Sequence, residues 1–538
     1  MIPKNSSGFP AHLLLLIFLF STACQQAVPT IVSPSLSSLQ IAKHTPFPKG
    51  DMDRDLAPDQ VLPSPTPVIV KNLSESPVPT PISYVAQPGD TLKAVAARYS
   101  LSPQDITSPD HLPETGFLIP GQFLILPPHL YPVTNGSWLL PDSEIVYSPT
   151  VQDFNIAEYI KTAGGVLAEY QEWLESSGWT SSADVVQRVA LENSINPRLL
   201  IALLEWECGC VSGDSLEGLE NRYVLGVKDY HRKSLYGQLS WAAHNLAEGY
   251  YAWRSGGVSS IEIGDGSILN PEPDLNAGTV ALMTYFSILA VSANKNERVN
   301  GDSSVKTALD PQKGFSNLYQ KMFGDPWKRD QQAGGLFPPG IQQPQFLLPF
   351  EPGQRWSFIS GPHPAWENAG AFSALDFAPA ANEPGCVPSS AWVIAVANGV
   401  VVRSKYGLVV LDLDEQQGEK ELLSDGNEAT GWAILYLHIG EEGRVANGVR
   451  LKAGDPIGHP SCEGGPSTGT HFHIARKYNG EWLAADGPLP FNLGGWTAHA
   501  GKKSYEGSLT REEFIIPSSL YGTSSSIILR PKDGEVFP

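Results

Sequence analysis

Positive charge is scarce in this chain: 36 Lys and Arg stand against 56 Asp and Glu, a formal net charge of −20 over 538 residues. That deficit argues against nucleic acid and against anionic membrane surfaces as partners. Long apolar runs are missing too. The run near the amino terminus, Leu13 to Phe20, is too short to span a bilayer. Cysteine numbers only five and histidine only 12, about one residue in 45, so any clustering of histidines is informative. What is plentiful is proline (46) and glycine (51), which points to real linkers. The length is too great for one core and predicts three or four domains.

The opening "MIPKNSSGFPAHLLLLIFLFSTACQQ" has Lys4, the short apolar run and then Ser21, Thr22 and Ala23 before Cys24. This reads as an export signal over residues 1–23. "STAC" resembles a bacterial lipobox, although Ser21 stands where such boxes usually carry Leu. The resemblance implies lipidation of Cys24 and a lipoprotein of the cell envelope, membrane-anchored and facing the wall. Export allows disulfides. Without Cys24, four cysteines remain and allow three pairings. Cys386–Cys462 is preferred, because both flank the segment that carries the chemistry below. Cys208 and Cys210 would close a very short, strained loop on each other, which favours free thiols.

Residues 24–80 are rich in Ser, Pro and Thr without a sustained period and read as an extended tether. Within 81–130, Tyr84 and Val85 suggest a strand, Pro88-Gly89 a turn, and Asp90 or Thr91 a helix cap. Leu92, Val95, Ala96 and Tyr99 follow at helical spacing, a second helix is expected after Ser102, and a last strand runs Phe123 to Leu126. "GDTL", "AARY" and "LIPGQFLILP" together resemble a LysM module, a small βααβ fold. The resemblance implies binding to N-acetylglucosamine-containing glycans such as peptidoglycan or chitin.

Residues 150–330 read as an all-α domain. Ile156, Tyr159, Ile160, Ala163, Val166, Leu167, Tyr170 and Trp173 recur at helical spacing, and "INPRLLIALLEWECG" starts a helix with Asn196 as cap and Pro197 first. "NPRLLIALLEWE" faintly resembles the acid-bearing helix of lysozyme-like lytic transglycosylases, which would put Glu207 on the acid position. An amphipathic core helix with an exposed Glu reads the same way and is preferred, so Glu207 is not counted as catalytic. Residues 331–348 look like a second linker, and 517–538 like a tail without a site. Between them, 349–516 is dense in short β-branched and aromatic runs separated by Gly turns, a mostly antiparallel β domain.

That β domain contains "ISGPHPAWENAGAFSALDFAP", "ILYLHIG" and "GDPIGHPSCEGGPSTGTHFHIARKYNG". Together these resemble the M23 zinc metallopeptidases over about 150 residues, in the β-lytic and staphylolytic branch, where "GPH" lies well upstream of "LDF". The commoner M23 pattern would want His four residues before the Asp, where this chain has Phe372. Carried over, His363, Asp376 and His473 are the expected metal ligands, and His438 and His471 the proton-handling pair. The cofactor implied is Zn²⁺: two imidazoles and one carboxylate, with a fourth place left for water, suit a catalytic rather than a structural zinc. Ala374 and Asp376 share one strand face, opposite Leu375 and Phe377, as a cavity-facing ligand on a core strand requires. Tyr436 shares a face with His438 and is expected to pack in the core. The acidic "LDLDEQQGEKELLSDGNEATG" lacks the EF-hand spacing and reads as a hairpin loop. The whole suggests an exported endopeptidase that cuts peptide bonds in peptidoglycan, with the LysM module on the glycan. The rival is a catalytically weak wall-binding regulator of other hydrolases. A third reading, glycan cleavage through Glu207, predicts new sugar ends.

Overall fold

A computed structural model describes residues 80–128, 136–214, 222–263, 266–293, 301–366, 370–381, 383–417, 420–532 and 535. The export signal, Cys24 and nearly all of the tether lie outside the described residues. Among the described residues no helix is long and apolar enough to cross a membrane.

The first unit pairs β1 (Ile82–Val85) antiparallel with β2 (Phe123–Leu126) around α1 (Leu92–Arg98). Thr91 caps α1 by accepting from the Ala94 amide. The expected second helix is only a three-residue 3₁₀ turn, Pro103–Asp105. The small core of Tyr84, Val95, Tyr99, Leu118 and Leu124 is its own cluster, yet the unit does not hang free. The Gln87 amide donates to the Asp274 carbonyl at 2.8 Å, and Phe117 stacks on Phe337 at 4.6 Å.

The middle region is helical but not all-α. Among the described residues its helices are α2 (Ile156–Ala163), α3 (Ser182–Asn193), α4 (Pro197–Cys208), α5 (Leu235–Arg254), α6 (Ala277–Ala293), α7 (Gly301–Ala308), α8 (Phe315–Phe323) and α9 (Pro326–Ala333). The predicted helix through Trp173 stops at Ala163, because Gly164 takes a left-handed conformation (φ 73°) and closes it. Chain beyond it forms a hairpin of β3 (Gln171–Leu174) and β4 (Gly178–Ser181), and Ile261–Glu262 pairs with Ile268–Leu269. Cys208 ends α4, and Gly209 at φ 60° turns the chain so that Cys210 returns to 5.1 Å (Cα–Cα) and bonds to it. The expectation of free thiols there is therefore corrected.

Among the described residues the β region holds one nine-stranded antiparallel sheet, a four-stranded sheet and two short two-stranded ones. The strands that matter are β5 (Arg355–His363), β6 (Ala374–Pro379), β7 (Gly399–Lys405), β8 (Leu408–Leu413), β9 (Trp432–Leu437), β10 (Phe472–Tyr478) and β11 (Glu481–Trp482). Their order is β7, β8, β9, β10, β6, β5, and β11 pairs with β10. Every residue of β8, β9 and β10 is buried, as strands covered on both faces must be.

Two expectations fail here. The "linker" 331–348 is packed: Leu336, Phe337, Phe346 and Leu348 are core residues. The "tail" adds an edge strand, Ile527–Leu529, against β5. One apolar cluster runs from Leu139 to Ile528, so the helical and β regions share a core. Buried ions pin their seam. The Lys477 ammonium, 2.7 Å from Glu428 in its own region, donates across to the Ser194 hydroxyl at 3.1 Å, and the Arg254 guanidinium, 3.0 Å from Asp142, reaches across to Glu481 at 2.9 Å. Removing one partner of such a pair would leave a buried charge uncompensated, which typically costs about 3–5 kcal/mol.

Candidate metal centre

Sheet register brings the predicted ligands together. His473 on β10 faces Asp376 on β6 as its direct cross-strand partner. A register shift between Ser360 and His363 carries the end of β5 over the same spot. The His363 Nε2 to Asp376 Oδ1 distance is 3.2 Å, His473 Nδ1 to the same oxygen 3.1 Å, and the two ring nitrogens are 3.0 Å apart. All three residues are buried.

The outer ring nitrogens settle the tautomers, since a carbonyl can only accept. His363 Nδ1–H donates to the Gly361 carbonyl at 2.8 Å, and His473 Nε2–H donates to the Ala365 carbonyl at 3.1 Å. In the neutral rings the inner nitrogens therefore carry lone pairs, and both face a carboxylate oxygen. Asp376 Oδ1 has no partner of hydrogen-bonding geometry despite its neighbours. Three electron-rich atoms at 3.0–3.2 Å repel one another. One proton relieves a single contact; a cation between them satisfies all three. Two donors on a tetrahedral zinc would lie about 3.3 Å apart, given bonds of about 2.0–2.1 Å. The residues present fit a metal ion.

A proton on one ring can stand in for a cation among the three, and the pKa shifts are those of that protonated arrangement. Burial alone would raise the Asp376 pKa, but the adjoining His363 and His473 rings hold it well below the ordinary carboxylate range. Burial lowers the His473 pKa. It also pulls on His363, but there the Asp376 charge wins and the pKa rises.

His438 and His471 form a second pair, with ring centroids 4.4 Å apart; the His438 ring lies 6.4 Å from that of His473. Each donates Nδ1–H to a carbonyl at 2.8 Å, His438 to Glu463 and His471 to Gly469, which leaves both Nε2 atoms free to take a proton. His438 sits at φ 62°, a conformation disfavoured for a non-glycine residue and concentrated at functional sites. Burial, then the nearby rings of His471 and His473, push its pKa down to about 3, so it is neutral at physiological pH. His471 precedes β10 and is held by a bridge to Ser461. Cys386 is bonded to Cys462, beside that bridge.

Other residues sort as follows. Tyr436 is fully buried and its hydroxyl accepts from the Val396 amide at 2.9 Å, a core role. Phe372 is 41% exposed, and its carbonyl accepts from Ala485. In the acidic loop the described aspartates are engaged: Asp412 caps the Gly426 and Asn427 amides, Asp414 pairs with Arg450, and Asp425 takes Thr430. Sequence reasoning missed Tyr505. Its ring stacks on His363 at 4.5 Å, on a loop clasped to β5 by the Gly361 amide, which donates to the Tyr505 carbonyl at 2.7 Å. A Cβ on Gly361 would lie 2.5 Å from the Glu506 backbone, so only glycine fits before Pro362 and His363. Nothing in "KKSYEGSLT" flags the tyrosine.

Comparison with known proteins adds the relationships. Residues 138–335 match the family described as LasA, N-terminal domain, and residues 84–127 match the LysM domain. The chain is 23% identical over 402 residues to protease LasA of Pseudomonas aeruginosa, covering 71% of this chain and 82% of that protein. Among solved structures, the M23 metalloprotease pseudoalterin aligns with 33% of this chain and 96% of its own at 20% identity and a TM-score of 0.26. The catalytic domain of lysostaphin from Staphylococcus simulans aligns with 24% of this chain and 89% of its own at 22% identity and a TM-score of 0.17. The chain is thus similar to a LasA-type protease and carries a LysM match ahead of it. The segment with the faint lysozyme-like helix falls inside the LasA N-terminal match.

Proposed function

We propose that this protein is a zinc endopeptidase that cleaves peptide bonds in bacterial peptidoglycan, with the LysM unit binding the glycan. The observation that carries the reading is the convergence of two imidazole lone pairs and one carboxylate oxygen at 3.0–3.2 Å in a buried pocket. Similarity to protease LasA and the LysM match support it. His363 Nε2, Asp376 Oδ1 and His473 Nδ1 would hold the metal. Bound zinc supplies Lewis acidity and lowers the pKa of a water molecule to about 7. His438 and His471 then carry the proton work: a neutral Nε2 takes a proton from the attacking water and returns it to the leaving amine. Such transfers are typically worth about 10²–10⁴ in rate. Export through residues 1–23 and a lipid anchor at Cys24 rest on the amino-terminal motif alone.

Peptidoglycan digested by the full chain and read by mass spectrometry tests this. New amino termini, absent with His473→Ala, are expected. Identical fragment patterns from both proteins would remove the peptidase, and new sugar ends instead would move the chemistry to Glu207.

A further inference from the structure

The hydrogen bond from His473 Nε2–H to the Ala365 carbonyl decides which nitrogen faces the metal pocket. If it is lost, the proton can move to Nδ1, where it would point at Asp376 and occupy the metal's place. What holds Ala365? It lies just after β5 and is 2% exposed. With Trp366 it walls a small cavity whose far side is Ala247 and Tyr251 of α5. A methyl built on Gly370, further along the same segment, would lie 3.5 Å from the Tyr251 ring and 3.9 Å from the Ala247 methyl. The Tyr251 hydroxyl accepts from the Trp482 amide at 3.0 Å. Trp482 belongs to β11, paired through Lys477 with β10, the strand that carries His473. One side chain of the helical region therefore lines the cavity that Ala365 also walls and bonds the hairpin that supplies the ring.

We propose that Tyr251 is a positioning residue for the metal centre. It sets the Ala365 carbonyl against the His473 ring and so fixes the metal-binding tautomer. The inference rests on the metal reading above. It makes the centre a joint product of two regions: ligands from the β sheet, their orientation from α5. Partners of metal-bound histidines typically carry about 10–100-fold in metal affinity.

The test is zinc affinity of the full chain, measured by competition with a chromophoric chelator. Ser194→Ala serves as control: it removes two other bonds across the same seam, to the Gly480 carbonyl and from the Lys477 ammonium, and leaves the Tyr251 hydroxyl on Trp482. Tyr251→Ala should weaken zinc binding about 10–100-fold; it also empties the place of a buried ring and lowers the metal-free melting temperature, so affinity is compared well below that temperature on folded protein. Tyr251→Phe keeps the ring and should lose only several-fold. Ser194→Ala should bind as wild type. Wild-type affinity in Tyr251→Ala overturns the proposal, as does an equal loss in Ser194→Ala. Should Tyr251→Ala fail to fold, an unchanged affinity in Tyr251→Phe overturns it. A wild-type chain that binds no zinc sinks the metal reading itself.

Discussion

Asp376 in the β region and Glu207 in the helical region are both carboxyl groups removed from water, and their protons behave oppositely. Two imidazoles aim at Asp376 and hold its pKa well below the usual range. Glu207, at the last turn of α4, has burial as the cause acting on it, and its pKa is pushed up to about 7. The difference teaches that desolvation alone makes an acid reluctant to ionise, whereas converging donors make an anion ready for a cation. Only the second arrangement offers the donor set a metal ion could take, and it is there that separate strands supply the partners.

Three substitutions sharpen the contrast. Asp376→Asn keeps the shape and removes the charge, so zinc binding and peptidase activity should fall by more than the about 100-fold that outer partners carry; chelator competition and peptidoglycan digestion read the two losses. His438→Ala should leave zinc content intact and lower kcat by about 10²–10⁴-fold, which separates proton transfer from metal holding. Cys386→Ser opens a 76-residue loop at the rim of the pocket and should destabilise the fold by about 4 kcal/mol on the chain-entropy account, seen as a lower denaturant midpoint.

A smaller effect belongs to Glu207. Its folded pKa of about 7 exceeds the ordinary 4.5, so between those values the unfolded chain gives up the proton first and folding loses stability as pH rises. Glu207→Gln should therefore melt at the wild-type temperature at pH 4 and a few degrees higher at pH 8. A variant less stable at pH 8 would mean that the carboxylate has a partner it needs.

Much of the candidate site was readable in the sequence. His363, Asp376, His438, His471 and His473 sit in short strings that resemble those of the M23 family, and for Asp376 and His473 strand alternation and register then bring the side chains together. What escaped depends on contacts between distant segments. Tyr505 reaches His363 from a loop about 140 residues on, and Tyr251 reaches the Ala365 segment from a helix in another region. Neither has a local pattern. The run from Ile156 to Trp173 shows the converse: its helical period was real as far as Ala163, but backbone freedom at Gly164 ended the helix. Likewise the Pro/Gln stretch at 331–348 reads as spacer by composition, while its scattered Leu and Phe side chains are what the core takes up.

Metal analysis of the full chain after reconstitution at micromolar zinc, beside Asp376→Asn treated alike, addresses the central claim most directly. One zinc per wild-type chain and none in the variant is the expected outcome. A wild-type chain that stays empty, or a variant that keeps its zinc, would contradict it.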